Sequence, residues 1–211
     1  MDISFSDFVK RLRINLGKPL PGLEVQYQMA PVTKMEQLVY NNNDTPPRQS
    51  SVLALLYPEA EETMLVVMKR AVDHSVHSGQ LSFPGGQAEP FDKDVVEIAL
   101  RETNEELGID SSLVHVLGML TPVYISPSNF NVVPVVGYLE RKPLFNPNEE
   151  VEKVFSIAIS ELMKPDAKKI RQVTTRYVTG LEVPCYLVKG EILWGATAMM
   201  IRELLEVGKE R

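Results

Sequence analysis

The sequence predicts an α/β protein, a mixed β-sheet held between helical layers, and three observations carry that expectation. Short apolar runs bounded by turn residues read as strands, residues 83–109 read as a Gly-rich turn entering one amphipathic helix, and a second amphipathic stretch closes the chain. At roughly 150 residues per domain, 211 residues make one decorated domain, and 44% hydrophobic content suffices for a sizeable core.

The elements follow in order. Residues 4–16 place Phe5, Phe8, Val9, Leu12 and Leu16 on one side of a helix closed by Gly17, which would serve as a lid, a contact in a homodimer, or packing. Residues 17–31 hold three prolines and two glycines, and 41–47 form a polar break, so this region is expected to hug the surface; 1–47 is read as a helical and extended N-terminal extension and 48–211 as the compact domain. The runs 51–57 and 63–69 are almost continuously apolar, which suits strands covered on both faces, joined by an acidic turn at 58–62. The polar stretch 70–80 leads to a short strand at 81–83. Val96, Ala99, Leu100, Thr103 and Leu107 then fall within a narrow helical arc, with Gly108 as the C-terminal cap. Beyond it, strands are expected at 113–120, 132–139, 154–157, 171–178, 181–188 and 191–194. Pro134 favours an edge or a bulge for the second of these. A turn-rich loop is expected at 121–131, an acidic loop at 143–152, a short helix up to Met163 and a last helix at 196–207, with Trp194 in the core.

Composition excludes several classes. A net charge of −6 without a clustered basic patch argues against a nucleic-acid surface. The single cysteine, Cys185, rules out an intrachain disulfide and a cysteine-rich zinc site, and its apolar neighbours suit packing rather than nucleophilic chemistry. There is no basic-then-apolar leader, and no apolar run approaches the ~18 residues of a membrane helix. A soluble, cytoplasmic protein with no membrane partner is expected, acting on a small molecule.

The chemistry gathers on the helix of 95–107. Glu102, Glu105 and Glu106 share an arc beside the apolar stripe, at the boundary between core and water. A solvated face is the ordinary fate of such residues, but here it carries two penalties. Like charges three or four apart repel by about 0.2–0.5 kcal/mol per pair, and Glu105 and Glu106 lie in the last turn, where the helix dipole disfavours anions. A divalent cation would offset both, and all-oxygen ligands favour Mg²⁺ or Mn²⁺. Pro84, Gly85 and Gly86 let the backbone bend and offer a further carbonyl oxygen. Arg70, at a strand end beside a loop, is placed either to grip a diphosphate or to stand as an ordinary exposed charge. His74 and His77 read as solvated loop residues or as a pair over a metal or phosphate; Tyr124 and Phe130 either stack on a base or pack.

One arrangement resembles a known family. Gly86, five residues, Asp92, eight residues, then Arg101-Glu102-Thr103-Asn104-Glu105-Glu106-Leu107-Gly108-Ile109 resembles the Nudix box, with Asp92 in place of Glu, one extra residue before Arg101, and Thr103 at a usually apolar position. Upstream, Arg70, Gly79, Phe83, Pro84, Gly85 and Gly86 match the signature of the coenzyme A pyrophosphatase branch, from which Ala71 and Ser75 depart. The resemblance covers roughly 48–205 and implies the Nudix α/β/α sandwich with a mixed sheet. It implies Glu102 and Glu106 as principal ligands of Mg²⁺ or Mn²⁺, Glu105 as a further ligand or the base for the attacking water, and the Gly86 carbonyl as another ligand. Arg101 would orient a glutamate, while Arg70, Phe83 and Gly85 would contact substrate. Glu149 or Glu150 is a reserve base outside the box. The implied substrate is coenzyme A or a thioester of it, cut to 3',5'-ADP and a 4'-phosphopantetheine product. Another nucleoside diphosphate-linked substrate, or a non-hydrolysing nucleotide sensor, stands as the alternative.

Overall fold

The computed structural model describes residues 4–31, 45–73, 77–175 and 178–210. Its framework is strand β1 (Arg48–Glu59), whose side chains alternate between two cores as a pleated strand requires. Ala54 and Leu56 enter one core, Leu53, Leu55 and Tyr57 the other, and all five are fully buried. The continuous apolar run is thereby explained: both faces are covered.

The remaining strands are β2 (Glu62–Arg70), β3 (Leu81–Ser82), β4 (Gly85–Gln87), β5 (His115–Met119), β6 (Val123–Ile125), β7 (Phe130–Tyr138), β8 (Val151–Ala158), β9 (Lys169–Val173), β10 (Leu181–Val188) and β11 (Glu191–Trp194). The helices are α1 (Phe5–Asn15), α2 (Gly22–Gln26), α3 (Val95–Leu107), α4 (Ile159–Leu162) and α5 (Gly195–Val207). Eight strands form one mixed sheet along the order β3-β2-β1-β7-β5, with β4 on β1, β6 on β7 and β8 on β2, while β9, β10 and β11 make a small antiparallel sheet. The β1–β7 pair is parallel; the rest of the pairs are antiparallel. Helix α3 covers one face through Ala99 and Leu107, and α1 and α5 cover the other through Phe8, Leu12, Ile201 and Leu204. The α/β expectation, a mixed sheet between helical layers, stands as stated. Among the described residues no helix is long and apolar enough to cross a membrane.

Two expectations are corrected. Pro134 lies inside the sheet, opposite Val52 of β1, rather than at an edge. Its carbonyl accepts from the Leu120 N–H, so its missing N–H faces the break between β5 and β6, where no strand asks for a donor. The loop expected over 121–131 contains β6, paired with β7. The N-terminal helix packs inward, one of the roles open to it: Phe8 and Leu12, with Met29 from the following segment, are fully buried in the same cluster as α5. Apolar spacing shows that a helix has a buried side but not what covers it. Cys185 is fully buried, whereas Trp194 is only partly so. Residues 41–44, His74 and Ser75 lie outside the described residues.

Candidate active site

Helix α3 starts with Asp94, whose carboxylate accepts the Val96 and Glu97 N–H groups, and ends at Gly108 in the left-handed region at φ 68°. Its last carbonyls are not left to solvent. The Asn146 N–H donates to the Leu107 carbonyl at 2.9 Å and the Asn148 N–H to that of Glu106 at 3.1 Å, so the loop before β8 caps the helix. This offsets part of the dipole penalty and fixes that loop against the glutamates.

The carboxylates differ in setting. Glu106 has a side chain only 3% exposed; the Gly85 N–H donates to its Oε2 at 2.8 Å, and an Arg70 Nη lies 3.5 Å from its Oε1. Burial pushes Glu106 up to about 8, against the Gly85 hydrogen bond and Arg70, which pull the other way. Glu102, partly buried, is also raised, first by burial, with Arg101 opposing. Glu105 is half-exposed.

Arg101 organises the second side. It donates to both Asp92 oxygens at 3.0 Å, to Glu102 and Glu105 at 3.0 Å each, and to the Gln87 carbonyl at 3.1 Å. The guanidinium hydrogen bond holds Asp92 below the usual carboxylate range, and Asp92 in turn holds Arg101 above its own ordinary value. Asp92, which replaces the box glutamate, therefore anchors the arginine that spans the other two.

The glycines are spatial requirements. A Cβ at Gly86 would sit 2.3 Å from Glu102 Oε1, so hydrogen there leaves room for the carboxylate. At Gly85 (φ +151°) a Cβ would meet the Ser51 carbonyl at 2.3 Å. The Gly86 carbonyl accepts from Ser50 Oγ at 2.6 Å, and Gly86 stands opposite Ser51 in the β1–β4 ladder.

Arg70 ends β2 at a register shift against β8, between Lys69 and Arg70, a device that re-aims a side chain. It faces Glu106 and, at 3.8 Å, Glu150. Of the two acidic residues Glu149 and Glu150, it is Glu150, just before β8, that lies beside Arg70. Phe83, expected at the substrate, is 1% exposed and belongs to the larger core cluster. It offers no surface to a ligand. Arg48 lies over the Phe130 ring at 4.0 Å, and the Tyr124 hydroxyl meets Asn129 Oδ1 at 3.0 Å, so each ring has a protein partner. His77 contacts Ser128 Oγ at 3.2 Å, away from the glutamates.

These residues fit a hard divalent cation. The donors are all oxygens, the Gly86 cradle admits Glu102, and the buried Glu106 shares Arg70 with Glu150. Among the described residues no three His, Cys, Asp or Glu groups are drawn to a common point; Arg70 pairs with Glu106 and Arg101 with Glu102.

The NUDIX domain model matches residues 47–177. A protein of Yersinia pestis (strain Pestoides F), named only as an uncharacterised Nudix hydrolase NudL, is 35% identical over 205 residues, covering 95% of this chain and 93% of its own length; the same figures hold for a relative from Yersinia pseudotuberculosis serotype O:1b. Among solved structures, the Nudix hydrolase RenU of M. smegmatis superposes with a TM-score of 0.54 at 16% identity, over 77% of this chain and 86% of that one. A MutT/nudix family protein from Enterococcus faecalis gives 0.50 at 16% identity, over 85% and 71%. The chain belongs to the Nudix hydrolase family.

Proposed function

We propose that the protein is a metal-dependent pyrophosphohydrolase that cleaves coenzyme A or an acyl-coenzyme A to 3',5'-ADP and the corresponding 4'-phosphopantetheine. The observation that supports hydrolysis is the placing of Glu102, Glu105 and Glu106 on the last two turns of α3 against the Gly85-Gly86 turn, with Arg70 at Glu106 and Arg101 at Glu102 and Glu105. The coenzyme A choice rests on the spacing of Arg70, Gly79 and Phe83-Pro84-Gly85-Gly86.

Glu102 and Glu106, one helical turn apart, would hold Mg²⁺ or Mn²⁺, with the Gly86 carbonyl as a further oxygen. Such an ion, when bound, offsets phosphate charge and acidifies a water. Glu105, the most exposed of the three, is placed to take the proton of the attacking water or to join the ligands. Arg101, fixed by Asp92, orients Glu102 and Glu105. Arg70 grips a diphosphate oxygen. Water adds across one P–O–P bond, its oxygen going to one phosphorus and a proton to the bridging oxygen that leaves on the other product.

The departures at Ala71 and Ser75 favour testing a second reading, another nucleoside diphosphate-linked substrate. Purified protein with Mg²⁺ or Mn²⁺ is incubated with coenzyme A, NADH, ADP-ribose and diadenosine polyphosphates, and products are separated by chromatography. 3',5'-ADP from coenzyme A alone is expected. Cleavage of a different substrate would discard coenzyme A but keep the hydrolase, and nucleotide binding without turnover would point to a sensor. Glu106→Gln should lower turnover on the order of 100-fold or more with the fold intact; near-normal turnover would overturn the ligand assignment.

A further inference from the structure

The two arginines of the site are held in opposite ways. Arg101 makes a bidentate pair with Asp92 at 3.0 Å and adds three further contacts, so its position is fixed. Among the described residues Arg70 makes two single-ended ion-pair approaches, 3.5 Å to Glu106 and 3.8 Å to Glu150, both longer than the roughly 2.7–2.9 Å of a well-formed charge-assisted bond. Its side chain is 25% exposed, and it stands at the strand's end, with a β-bulge behind it and a loop ahead. Glu106, by contrast, is closed in and draws compensation mainly from Gly85 and Arg70.

A cation on the Oε1 side of Glu106 and a guanidinium against the same oxygen would repel each other at close range. We propose that Arg70 is an exchangeable counter-ion: it neutralises Glu106 and Glu150 until a divalent cation binds at Glu106, which releases its guanidinium to the substrate diphosphate. This rests on the metal reading above. It gives the site an order, metal before phosphate, and makes the two bindings mutually reinforcing, since coupling between sites is reciprocal. Glu150 is the resting partner that keeps Arg70 close when Glu106 is taken. The Ala71 N–H donates to the Glu150 carbonyl at 2.8 Å, so the two chain segments cannot drift apart.

The test is Mn²⁺ binding to the full chain without nucleotide, read from the free-ion paramagnetic resonance signal, for wild type, Arg70→Gln, Arg70→Lys and Glu106→Gln. Removal of the competing charge should tighten Mn²⁺ binding about tenfold in Arg70→Gln, Arg70→Lys should stay near wild type, and Glu106→Gln should lose the site. Unchanged or weaker binding in Arg70→Gln, with Glu106→Gln still losing the ion, overturns the exchange alone. An Arg70→Lys variant that tightens as much as Arg70→Gln also overturns it, because charge would not be the agent. If wild type takes up no Mn²⁺, or Glu106→Gln binds it as well, the metal reading falls and the exchange with it.

Discussion

Gly85 and Gly86 are adjacent and look alike in sequence, yet they answer to different neighbours. The Cβ of an alanine at 86 would meet the carboxylate end of Glu102, a flexible group that can move aside. Gly86→Ala should therefore keep the wild-type melting temperature while turnover falls by about tenfold or more through a displaced ligand. At 85 the obstacle is backbone, 2.3 Å from the Ser51 carbonyl, with φ +151° besides. Gly85→Ala should cost roughly 1–3 kcal/mol or more in denaturant unfolding. A stable Gly85→Ala protein, or an unstable Gly86→Ala one, would show the roles reversed. The glycines were legible as a turn, but which one serves the fold and which the carboxylate depended on the strand and helix they abut. Glu149 and Glu150 were likewise indistinguishable until the fold placed Glu150, just before β8, beside Arg70.

At the scale of the element, α3 is a helix whose arginine is anchored from outside. Asp92 precedes the helix and accepts from Arg101 Nε and Nη2, across nine positions. Asp92 has its pKa lowered by that hydrogen bond, so the stability it contributes is present above its unfolded pKa of about 3.9. That contribution is lost as pH falls through the lower folded value. Melting temperatures of wild type and Asp92→Asn should differ at pH 6 and converge below about pH 4. A gap that persists unchanged at pH 2 to 3 would assign the effect to shape rather than charge. The helical period displayed the apolar stripe and the glutamate arc, but not the partner of Arg101, because a salt bridge to a turn has no period.

Over the whole molecule, the chain's two ends are tied by one buried carboxylate. Glu203 of α5 is fully buried and accepts from the Gly22 N–H, Gln26 Nε2, the Thr121 N–H and Thr121 Oγ1, at 2.7 to 3.1 Å. It joins α2 and the segment leading into β6 to the last helix. Beside this junction Leu23, Tyr27, Val123 and Met199 line a cavity of about 210 Å³ on the sheet face opposite α3. Glu203→Ala would leave those donors buried without an acceptor and should destabilise by about 3 kcal/mol or more. Urea unfolding checks it, and a loss within about 0.5 kcal/mol would mean water replaces the carboxylate. The sequence shows α5 as an amphipathic helix but not Glu203 as buried, since a charged residue within such a helix ordinarily faces water.

By itself, the sequence determined what is local. Periods of two and 3.6 locate the two-faced strands and the glutamate helix, and the spacing from Gly86 to Gly108 marks the family, because these depend on residues within one or two turns of each other. Tertiary structure decided what is paired at a distance: Pro134 at a gap between strands, Phe83 in the core, Phe8 and Met29 beneath α5, Asp92 on Arg101, and Arg70 between Glu106 and Glu150. Those contacts are set by strand order, register and one bulge, and register shifts a side chain from one face or neighbour to another without altering the local pattern that sequence can display.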